Sequence, residues 1–447
     1  MKNYRQIARV VVEAATPLAV GSGKKEINTD ATVAKDVNGL PYIPGSSIAG
    51  VVRHALEDQG VNLNDFFGYQ ENGEGKGSEI IFSEAKMIGK DGVAIDGLQD
   101  IDFSDSFYSH FNSLPVRQHV RIGHTGAAEK HGKFDEEVAL KGTRFCFEIE
   151  AVLDCEENRI FTAILDALYN AEFRIGSGSR KGFGKIVVKS CNIKVVDLTD
   201  KADLDWYLNH TSDLSEAFDG SSFTHDFSSN ADVYTLTLQP EDFFLFGAGF
   251  GDDETDLVPV KEKQVCWEKA DSVEKPIVND NKLLIPASSL KGALVHRVAF
   301  HYNVMKEKWA ETVTSQDDVK ALTVNNPAVV ALFGSADNNK KRGVVLFEDI
   351  IEDSLGEKIF SHVQIDRFTG GAIEGALFQE KATYGKGSCF KTNITVLENV
   401  EDDIKEALEL AMEDICKGML PLGGGTTKGY GCFKGTLQKN NEFMFPK

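Results

Sequence analysis

Several features are missing from this 447-residue chain, and each absence excludes a class of protein. No stretch of about 18 apolar residues occurs, so the sequence predicts no membrane-spanning helix. The seven cysteines are odd in number and never in Cys-X-X-Cys spacing, which argues against a disulfide framework or a zinc site. Residues 1–20 lack the pattern of a secretion signal. We therefore expect reduced thiols and a cytoplasmic location.

Positive charge is also scarce, because 48 Lys and Arg residues stand against 69 Asp and Glu residues, for a net charge of −21. This balance argues against a protein that binds polyanions over its whole surface. Three catalytic patterns are absent as well: the nucleotide-binding GxxxxGK[ST] loop, the HExxH zinc motif, and a serine or cysteine nucleophile patterned beside a histidine. The sequence therefore predicts no P-loop nucleotide hydrolase, zinc protease or hydrolase triad.

What the chain does contain is a long internal repeat. The segment PYIPGSSIAGVV at 41–52 reappears as LLIPASSLKGAL at 283–294. Five further features follow in the same order in both halves, and both series end in Gly-rich loops, at 176–184 and 423–431. Ordered matches of this kind indicate a tandem duplication.

The repeat divides the chain into a first domain at 1–198 and a second domain at 233–447. The segment 199–232 lies outside the repeat and is rich in Ser and Asp, so we interpret it as a linker. Each copy is predicted to contain a strand, a helix, two strands, a helix and a strand, which is the ferredoxin-like (RRM-like) order of many RNA-binding domains. A large insertion separates the two central strands. The predicted fold class is therefore α+β.

The Gly-rich loops and the helix after each IPGSS or IPASS segment are candidate anion sites. Flexible backbone amides beside Arg180, Lys181 and Lys428 can cradle a phosphate, and Phe183 or Tyr430 is expected to stack on a base. Free amides at a helix N-terminus also favour an anion. The alternatives are a tight helix-to-strand connection for the loops and plain N-capping for the serines.

The insertion of the first copy is rich in histidine and arginine. It carries Arg117, His119, Arg121, His124 and His131. Histidine acid–base ribonuclease chemistry, RNA contact and plain hairpin structure all fit such a segment. The residues alone leave these three alternatives open.

Taken together, the IPGSS segment with its helix, the FG turn, the VQIDRFTGGA segment and the Gly-rich loop resemble the RAMP superfamily. The resemblance is closest to the backbone subunits of type III CRISPR effector complexes, in their fused two-unit form. It implies that each domain has a ferredoxin-like palm and a protruding thumb hairpin, binds guide RNA, and stacks on other RAMP-type subunits. It also implies that the thumb displaces about every sixth nucleotide of the guide–target duplex.

In the cleaving members of that family, an Asp in the loop before IPGSS cuts the target RNA beside the displaced nucleotide. The reaction uses Mg²⁺ or Mn²⁺ transiently, and the adjacent 2′-hydroxyl attacks to leave a cyclic phosphate. Carried onto this sequence, the resemblance assigns catalysis to Asp30, ahead of Lys35 and Asp36, and in the second copy to Asp271. Competing positions in the second copy are Asp252, Asp253 and Asp256.

The predicted RNA contacts lie in the helix starts, the thumbs and the Gly-rich loops. They are Ser46, Ser47, Arg53, Arg121, His124, Arg180, Lys181, Gly182, Gly184, Ser288, Ser289, Lys291, Arg367, Lys428, Gly429 and Gly431. The first thumb departs from the family pattern, with Gly123 and His124 in place of Arg and Phe. No resident metal site is predicted. Two other functions stay open: a non-catalytic RNA-binding backbone subunit, and a duplicated binder of a phosphate ligand.

Overall fold

The computed structural model describes residues 2–25, 29–57, 63–71, 73–156, 158–225, 231–270, 273–335 and 340–446. The elements of the first half are β1 (Tyr4–Ala14), α1 (Gly45–Glu57), α2 (Asn64–Phe67), β2 (Tyr69–Glu71), β3 (Glu74–Lys76), β4 (Ile80–Phe82), β5 (Lys86–Met87), α3 (Ser109–Asn112), β6 (Val116–Ile122), β7 (Ala128–Glu137), β8 (Arg144–Leu153), α4 (Arg159–Tyr169), β9 (Ile186–Asp197), α5 (Lys201–Asn209) and β10 (Ser221–Ser222).

The second half repeats this order with additions. Its elements are β11 (Asp232–Pro240), β12 (Phe243–Phe244), β13 (Lys261–Ala270), β14 (Val273–Ile285), α6 (Ala287–Met305), α7 (Gln316–Leu322), α8 (Pro327–Phe333), β15 (Gly334–Ser335), β16 (Lys341–Arg342), β17 (Val345–Phe347), β18 (Ile350–Glu352), β19 (Glu357–Ile365), β20 (Ala372–Tyr384), β21 (Phe390–Val396), α9 (Asp402–Cys416), β22 (Phe433–Lys439) and β23 (Glu442–Phe445).

Each half contains one antiparallel sheet with the ferredoxin-like strand order. In the first half the order is β9-β1-β8-β4, and in the second it is β22-β11-β21-β17. The first strand along the chain therefore lies between the fourth and the third in both sheets. Helices α1 and α4 contact each other in the first domain, as α6 and α9 do in the second. The structure confirms the predicted α+β fold with two ferredoxin-like domains.

Apolar residues at helical spacing explain how the helices cover their sheets. Ile48, Val52 and Leu56 of α1 are buried in the core of the first domain, and Ile404 and Leu408 of α9 are buried in that of the second. The remaining faces of these helices are polar or half-exposed. Within the described ranges, no helix is long and apolar enough to cross a membrane.

The predicted insertion between the central strands is a β-hairpin in both domains. Strands β6 and β7 form the first thumb, and β19 and β20 form the second. Both hairpins are exposed over their outer turns. The tip of the second thumb closes around Asp366, whose carboxylate accepts the backbone N–H groups of Phe368 (2.9 Å) and Thr369 (2.7 Å).

The segment before helix α6 of the second domain is a β-hairpin rather than the polar loop that the sequence suggests. In the first domain, residues 36–40 form a tight turn. At the equivalent place in the second domain, the paired strands β13 and β14 extend from the domain. The hairpin packs on the first domain, where Val265 is buried and the Trp267 indole donates to the Gly142 carbonyl at 2.8 Å. Its apolar residues are too scattered along the sequence to show this docking.

The segment 199–232, interpreted as a linker, is ordered along much of its length. Helix α5 packs beside β9, and β10 adds a strand to the edge of the first sheet. Isolated polar contacts hold it: the Tyr207 hydroxyl donates to Glu150 at 2.6 Å, and Arg9 donates to the Asp213 carbonyl at 3.2 Å. Such contacts leave no periodic pattern in the sequence.

A buried ion cluster joins the two domains at the base of the first thumb. The Arg117 guanidinium contacts the Glu262 carboxylate and lies 3.0 Å from Asp349, and all three side chains are almost fully buried. Asp349 also accepts the Ala287 N–H at 2.7 Å, so the same carboxylate caps helix α6. Burial lowers the pKa of Arg117, but the two carboxylates raise it more, so the guanidinium stays charged. The cluster therefore connects thumb, hairpin and helix.

We expect Arg117→Met to destabilise the protein strongly, because it leaves two buried carboxylates without a counter-ion. The expected loss is about 3–5 kcal/mol of unfolding free energy. Burial already raises the pKa of Glu262, so the defect should shrink as the pH falls and this carboxylate takes up a proton. Urea denaturation at several pH values measures both effects.

Lys185→Met is the matched control, since Lys185 also spans the domains, 2.6 Å from Glu348, but remains partly exposed. Its loss should cost no more than about 1 kcal/mol. Equal losses in the two variants contradict the assigned role of Arg117.

Candidate functional site

Asp30 lies in an exposed loop held against the base of the first thumb. Residue 31 forms a parallel bridge with Glu136 of β7, and the Asp135 N–H donates to the Asp30 carboxylate at 3.2 Å. Two residues further on, the Val33 N–H donates to Glu137 at 2.9 Å, and Lys35 pairs with the same carboxylate at 3.1 Å. The sequence-predicted carboxylate is therefore placed by the thumb itself.

The second domain repeats this geometry with Asp256. Leu257 forms a parallel bridge with Glu380 of β20, and the Gln379 N–H donates to the Asp256 carboxylate at 2.8 Å. Asp256 is exposed, as Asp30 is. The structural equivalent of Asp30 is thus Asp256.

The resemblance assigns catalysis in the second copy to Asp271, fifteen residues before Pro286. Strand β14 occupies most of the segment between these two residues. Asp271 itself lies outside the described residues. Of the competing positions, Asp252 is bound to Lys381 at 2.6 Å and accepts the backbone N–H groups of its own loop. The Lys381 hydrogen bond holds the pKa of Asp252 well below its usual range. This carboxylate therefore serves the loop structure.

A cluster of four side chains supports the thumb base beside each loop. In the first domain, Glu136 lies 2.7 Å from His119 and 3.4 Å from Lys181, and His119 stacks on Phe134. Burial raises the pKa of Glu136, but His119 and Lys181 lower it more, so the carboxylate is ionised. The Lys181 ammonium also lies 4.2 Å from the centre of the Phe134 ring.

The second domain contains the same cluster. Glu380 lies 2.7 Å from His362 and 3.2 Å from Lys428, and His362 stacks on Phe378. Lys428 lies 4.5 Å from the centre of the Phe378 ring. His119 and His362 are thus bound to buried carboxylates.

The Gly-rich loops need glycine for backbone conformation. Gly182 and Gly184 have φ values of +105° and +88°, and Gly429 and Gly431 have values of +93° and +74°. A side chain at Gly184 would also collide with the Ile175 backbone. The prediction that Phe183 or Tyr430 stacks on a base is wrong, because the two side chains are 1% and 8% exposed and pack inside the loops.

The first Gly-rich loop lies at the boundary between the domains, where cations gather. Arg180 donates to the Gly343 carbonyl at 2.6 Å, and Gly182 contacts Ala287 at the start of α6. Lys291, one turn further along α6, has no hydrogen-bond or ion-pair partner for its ammonium within the described part of the chain. Burial, together with Lys181 and Arg180, lowers the pKa of Lys291 to about 8. We call Arg180, Lys181 and Lys291 the junction cations.

The half-buried serines Ser288 and Ser289 lie at the N-terminus of α6, beside the junction cations. Sequence reasoning named each of these residues but could not bring them together, because they come from different domains. Ser46 and Ser47 occupy the equivalent turn of α1, with Ser46 exposed. The structure gives neither serine pair a side-chain cap bond.

The other predicted RNA contacts fall into two groups. Arg53 donates to Glu57, the Gly68 carbonyl and Asn64, and Arg121 pairs with Glu129 at 2.9 Å, so both cations have internal partners. His124 and Arg367 lie exposed near the tips of the first and second thumbs. The structure therefore brings the candidates of the first Gly-rich loop and of α6 together at the domain junction, and leaves those of α1, the thumb tips and the second Gly-rich loop at separate places.

A resident metal centre does not fit the residues around Asp30 and Asp256. Within the described ranges, no group of three or more His, Cys, Asp or Glu residues is arranged to hold a metal ion. Mg²⁺ in proteins often takes one or two carboxylates and completes its shell with substrate phosphates and water. Any ion at these positions would need such oxygen atoms from outside the protein.

Comparison with protein families gives a match over both halves of the chain. The family model described as the RAMP superfamily matches residues 11–187 and 269–434. These two regions contain both thumbs, both Gly-rich loops and the helices α1, α4, α6 and α9. A search of curated proteins finds no match.

We expect Lys291→Met to stabilise the RNA-free protein. At pH 7 the folded protein holds this ammonium charged among other cations, whereas the unfolded chain solvates it freely. Each kcal/mol recovered should raise the melting temperature by about 2–4 °C. The gain should fade above pH 8, because the folded wild-type protein then releases the proton that the unfolded chain retains.

Lys428→Met provides a control of opposite sign, since Lys428 pairs with the buried Glu380. Differential scanning calorimetry of both variants at pH 7 compares them directly. A lower melting temperature for Lys291→Met contradicts the inference that its charge is uncompensated.

Proposed function

The chain belongs to the RAMP superfamily of CRISPR-associated RNA-binding proteins, and on that premise we propose that it is a backbone subunit of a type III effector complex. In this proposal the chain binds guide RNA and cleaves complementary target RNA once at each domain, at about six-nucleotide spacing. Asp30 and Asp256 are the proposed cleaving residues. Its partners are guide RNA, target RNA and other RAMP-type subunits.

The observation that carries this proposal is the duplicated attachment of a carboxylate-bearing loop to a thumb base. In both domains the thumb backbone donates a hydrogen bond to the exposed Asp, and a buried Glu–His–Lys cluster lies directly beside it. A loop carboxylate whose only role is to face solvent would not need to be held in a fixed position. The arrangement supports cleavage beside the nucleotide that each thumb displaces.

The proposed reaction is transfer of the target phosphodiester to its neighbouring 2′-hydroxyl. Asp30 or Asp256 is placed to orient that hydroxyl and accept its proton, and the 5′-oxygen of the next nucleotide leaves, so a 2′,3′-cyclic phosphate remains. A divalent ion, Mg²⁺ or Mn²⁺, would supply charge stabilisation at the phosphate when the RNA brings further oxygen ligands.

The junction cations are the proposed binding point for a guide RNA phosphate. Three cations meet at a helix N-terminus, and only Lys181 has a carboxylate partner among them, so an anion there gains charge, dipole and hydrogen-bond stabilisation together. Binding a phosphate would also raise the pKa of Lys291 toward its ordinary value. This gives RNA a local site on an acidic protein.

Asparagine substitutions test the cleaving residues with little change in shape. We expect Asp30→Asn to remove one cleavage product and Asp256→Asn the other, each at a rate reduced by about 100-fold or more. Asp271→Asn is the matched control and should leave both products unchanged. The assay uses the assembled complex, end-labelled target RNA and added Mg²⁺ or Mn²⁺, with an EDTA arm.

Two outcomes contradict parts of this proposal. If both products persist in the Asp30→Asn/Asp256→Asn protein while guide RNA is retained, the chain is a non-catalytic backbone subunit. If Asp271→Asn removes a product and Asp256→Asn does not, the structural equivalence of Asp256 does not carry function.

RNA retention tests the binding part separately. We expect Lys291→Met to weaken guide RNA binding by about tenfold in 0.15 M salt and to reduce the salt dependence by about one phosphate contact. Lys194→Met, on the outer edge of the first sheet, is the control. Equal binding by the two variants excludes a phosphate contact at Lys291.

A further inference from the structure

The two domains contact each other as two subunits would. Because the chain is a tandem repeat, each side of this contact has an equivalent face on the other domain, and the two can be compared. On one side, the first domain contributes its thumb base and Gly-rich loop. Three of its cations cross the boundary: Arg117 meets Glu262 and Asp349, Arg180 meets the Gly343 carbonyl, and Lys185 meets Glu348.

The corresponding end of the second domain has lost all three cations. Arg117 lies against the ring of Phe183, and in the second domain Phe360 lies against the equivalent Tyr430. Arg180 is the middle residue of its short 3₁₀ turn, where the second loop has Thr427. Lys185 follows Gly184, whereas Cys432 follows Gly431. This face of the second domain therefore lacks the three cations that cross the internal contact, while the Lys358 ammonium lies 5.1 Å from the centre of the Phe360 ring.

The first domain keeps carboxylates at the positions equivalent to Glu262 and Asp349. Asp36 follows the bridge of Lys35 with Pro41, as Glu262 follows the pair of Lys261 with Leu283. Glu84 likewise precedes a bridge to the strand before the helix, in the position of Asp349. Among the described residues these carboxylates have only local partners: backbone amides and the Asn38 side chain for Asp36, and the half-buried Lys86 for Glu84.

Two pairs of equivalent glycines show that the unoccupied faces have a backbone conformation similar to that of the occupied contact. Gly249 of the second domain has φ +86° and is covered by the Gln118 side chain of the first thumb, whereas the equivalent Gly23 has φ +73° and no atom within 4 Å of an added Cβ. Similarly, a Cβ added at Gly182 would collide with Ala287 and lie close to Asp349, whereas one added at Gly429 would have no atom of the described residues within 4 Å. Both surfaces are thus built for a neighbour that the chain does not supply.

We propose that the acidic face around Gly23, Asp36 and Glu84 binds the thumb and Gly-rich loop of a different RAMP-type subunit, one that carries cations at these positions. A second copy of this chain fits poorly, because it would desolvate the two carboxylates against Phe360 and supply no guanidinium at the position of Arg117. This inference rests on the proposed assembly into a filament. It specifies a heterologous neighbour on the first domain and a single copy of this chain at its place in the assembly.

Restoring the missing cations tests the proposal without RNA or activity. The nuclease-treated wild-type protein should remain monomeric over a wide concentration range in sedimentation velocity. Phe360→Arg/Thr427→Arg/Cys432→Lys gives the second end the charges of the first, and should associate head to tail in a concentration- and salt-dependent manner. Adding Asp36→Lys and Glu84→Lys to that protein should return it to monomer.

A charge-matched control separates a specific contact from general attraction in an acidic protein. Leu208→Lys/Val304→Arg/Phe443→Arg adds three cations at exposed apolar positions away from the thumbs and should stay monomeric. The double variant Phe360→Arg/Thr427→Arg provides a second test should Cys432→Lys impair folding.

Three results overturn the proposal: self-association of the wild-type protein, a monomeric folded triple variant, or association of the charge-matched control. Because none of these measurements involves RNA, they can fail while the cleavage assay succeeds, and the reverse.

Discussion

The buried carboxylate at the base of each thumb is the constraint on which the candidate site depends. Glu136 and Glu380 are buried and need partners where they lie, and each lies against a His from the first thumb strand and pairs with a Lys from the Gly-rich loop. A third element, the loop that carries Asp30 or Asp256, bridges to the backbone of the same Glu. One charge therefore fixes three segments that are far apart in the sequence. Removing it would leave a His and a Lys unpaired and release the loop from its neighbours.

This view also explains how an acidic protein can bind RNA. Many of the cations in the thumbs and loops are neutralised inside the protein, by Glu129, Glu136, Glu348 and Glu380 among others. Net charge therefore says little about the RNA surface. The junction cations differ because they come from two domains and have a single carboxylate partner among the described residues. Burial, together with repulsion from Lys181 and Arg180, lowers the pKa of Lys291. A site that is unfavourable without a phosphate is one that gains from binding it.

The sequence predicts what repeats and what is periodic. The duplication, the ferredoxin-like order and the two insertions follow from matching segments and helical spacing, and the structure agrees. The structural equivalence of Asp30 and Asp256 does not follow from the sequence, because the β13–β14 hairpin lies between Asp256 and Pro286. The equivalence is visible only in the bridge from Leu257 to Glu380. The junction and the Arg117 cluster do not follow either. Lys291 lies more than a hundred residues from Arg180 and Lys181, as Arg117 does from its two carboxylates, and these residues meet only in the folded chain.

Comparison of the two domains separates the parts of the fold that serve each site from the parts that serve the assembly. The Glu–His–Lys–Phe cluster and the loop carboxylate are the same in both copies, so each domain maintains its own thumb base. The residues that differ lie where the domains meet a neighbour: Arg117 against Phe360, Arg180 against Thr427, and the tight turn at 36–40 against a docked hairpin. Duplication alone would make these surfaces identical and allow the chain to extend indefinitely in both directions. Their divergence gives the chain two distinct ends, one that keeps carboxylates like those of the internal contact and one that lacks its three cations.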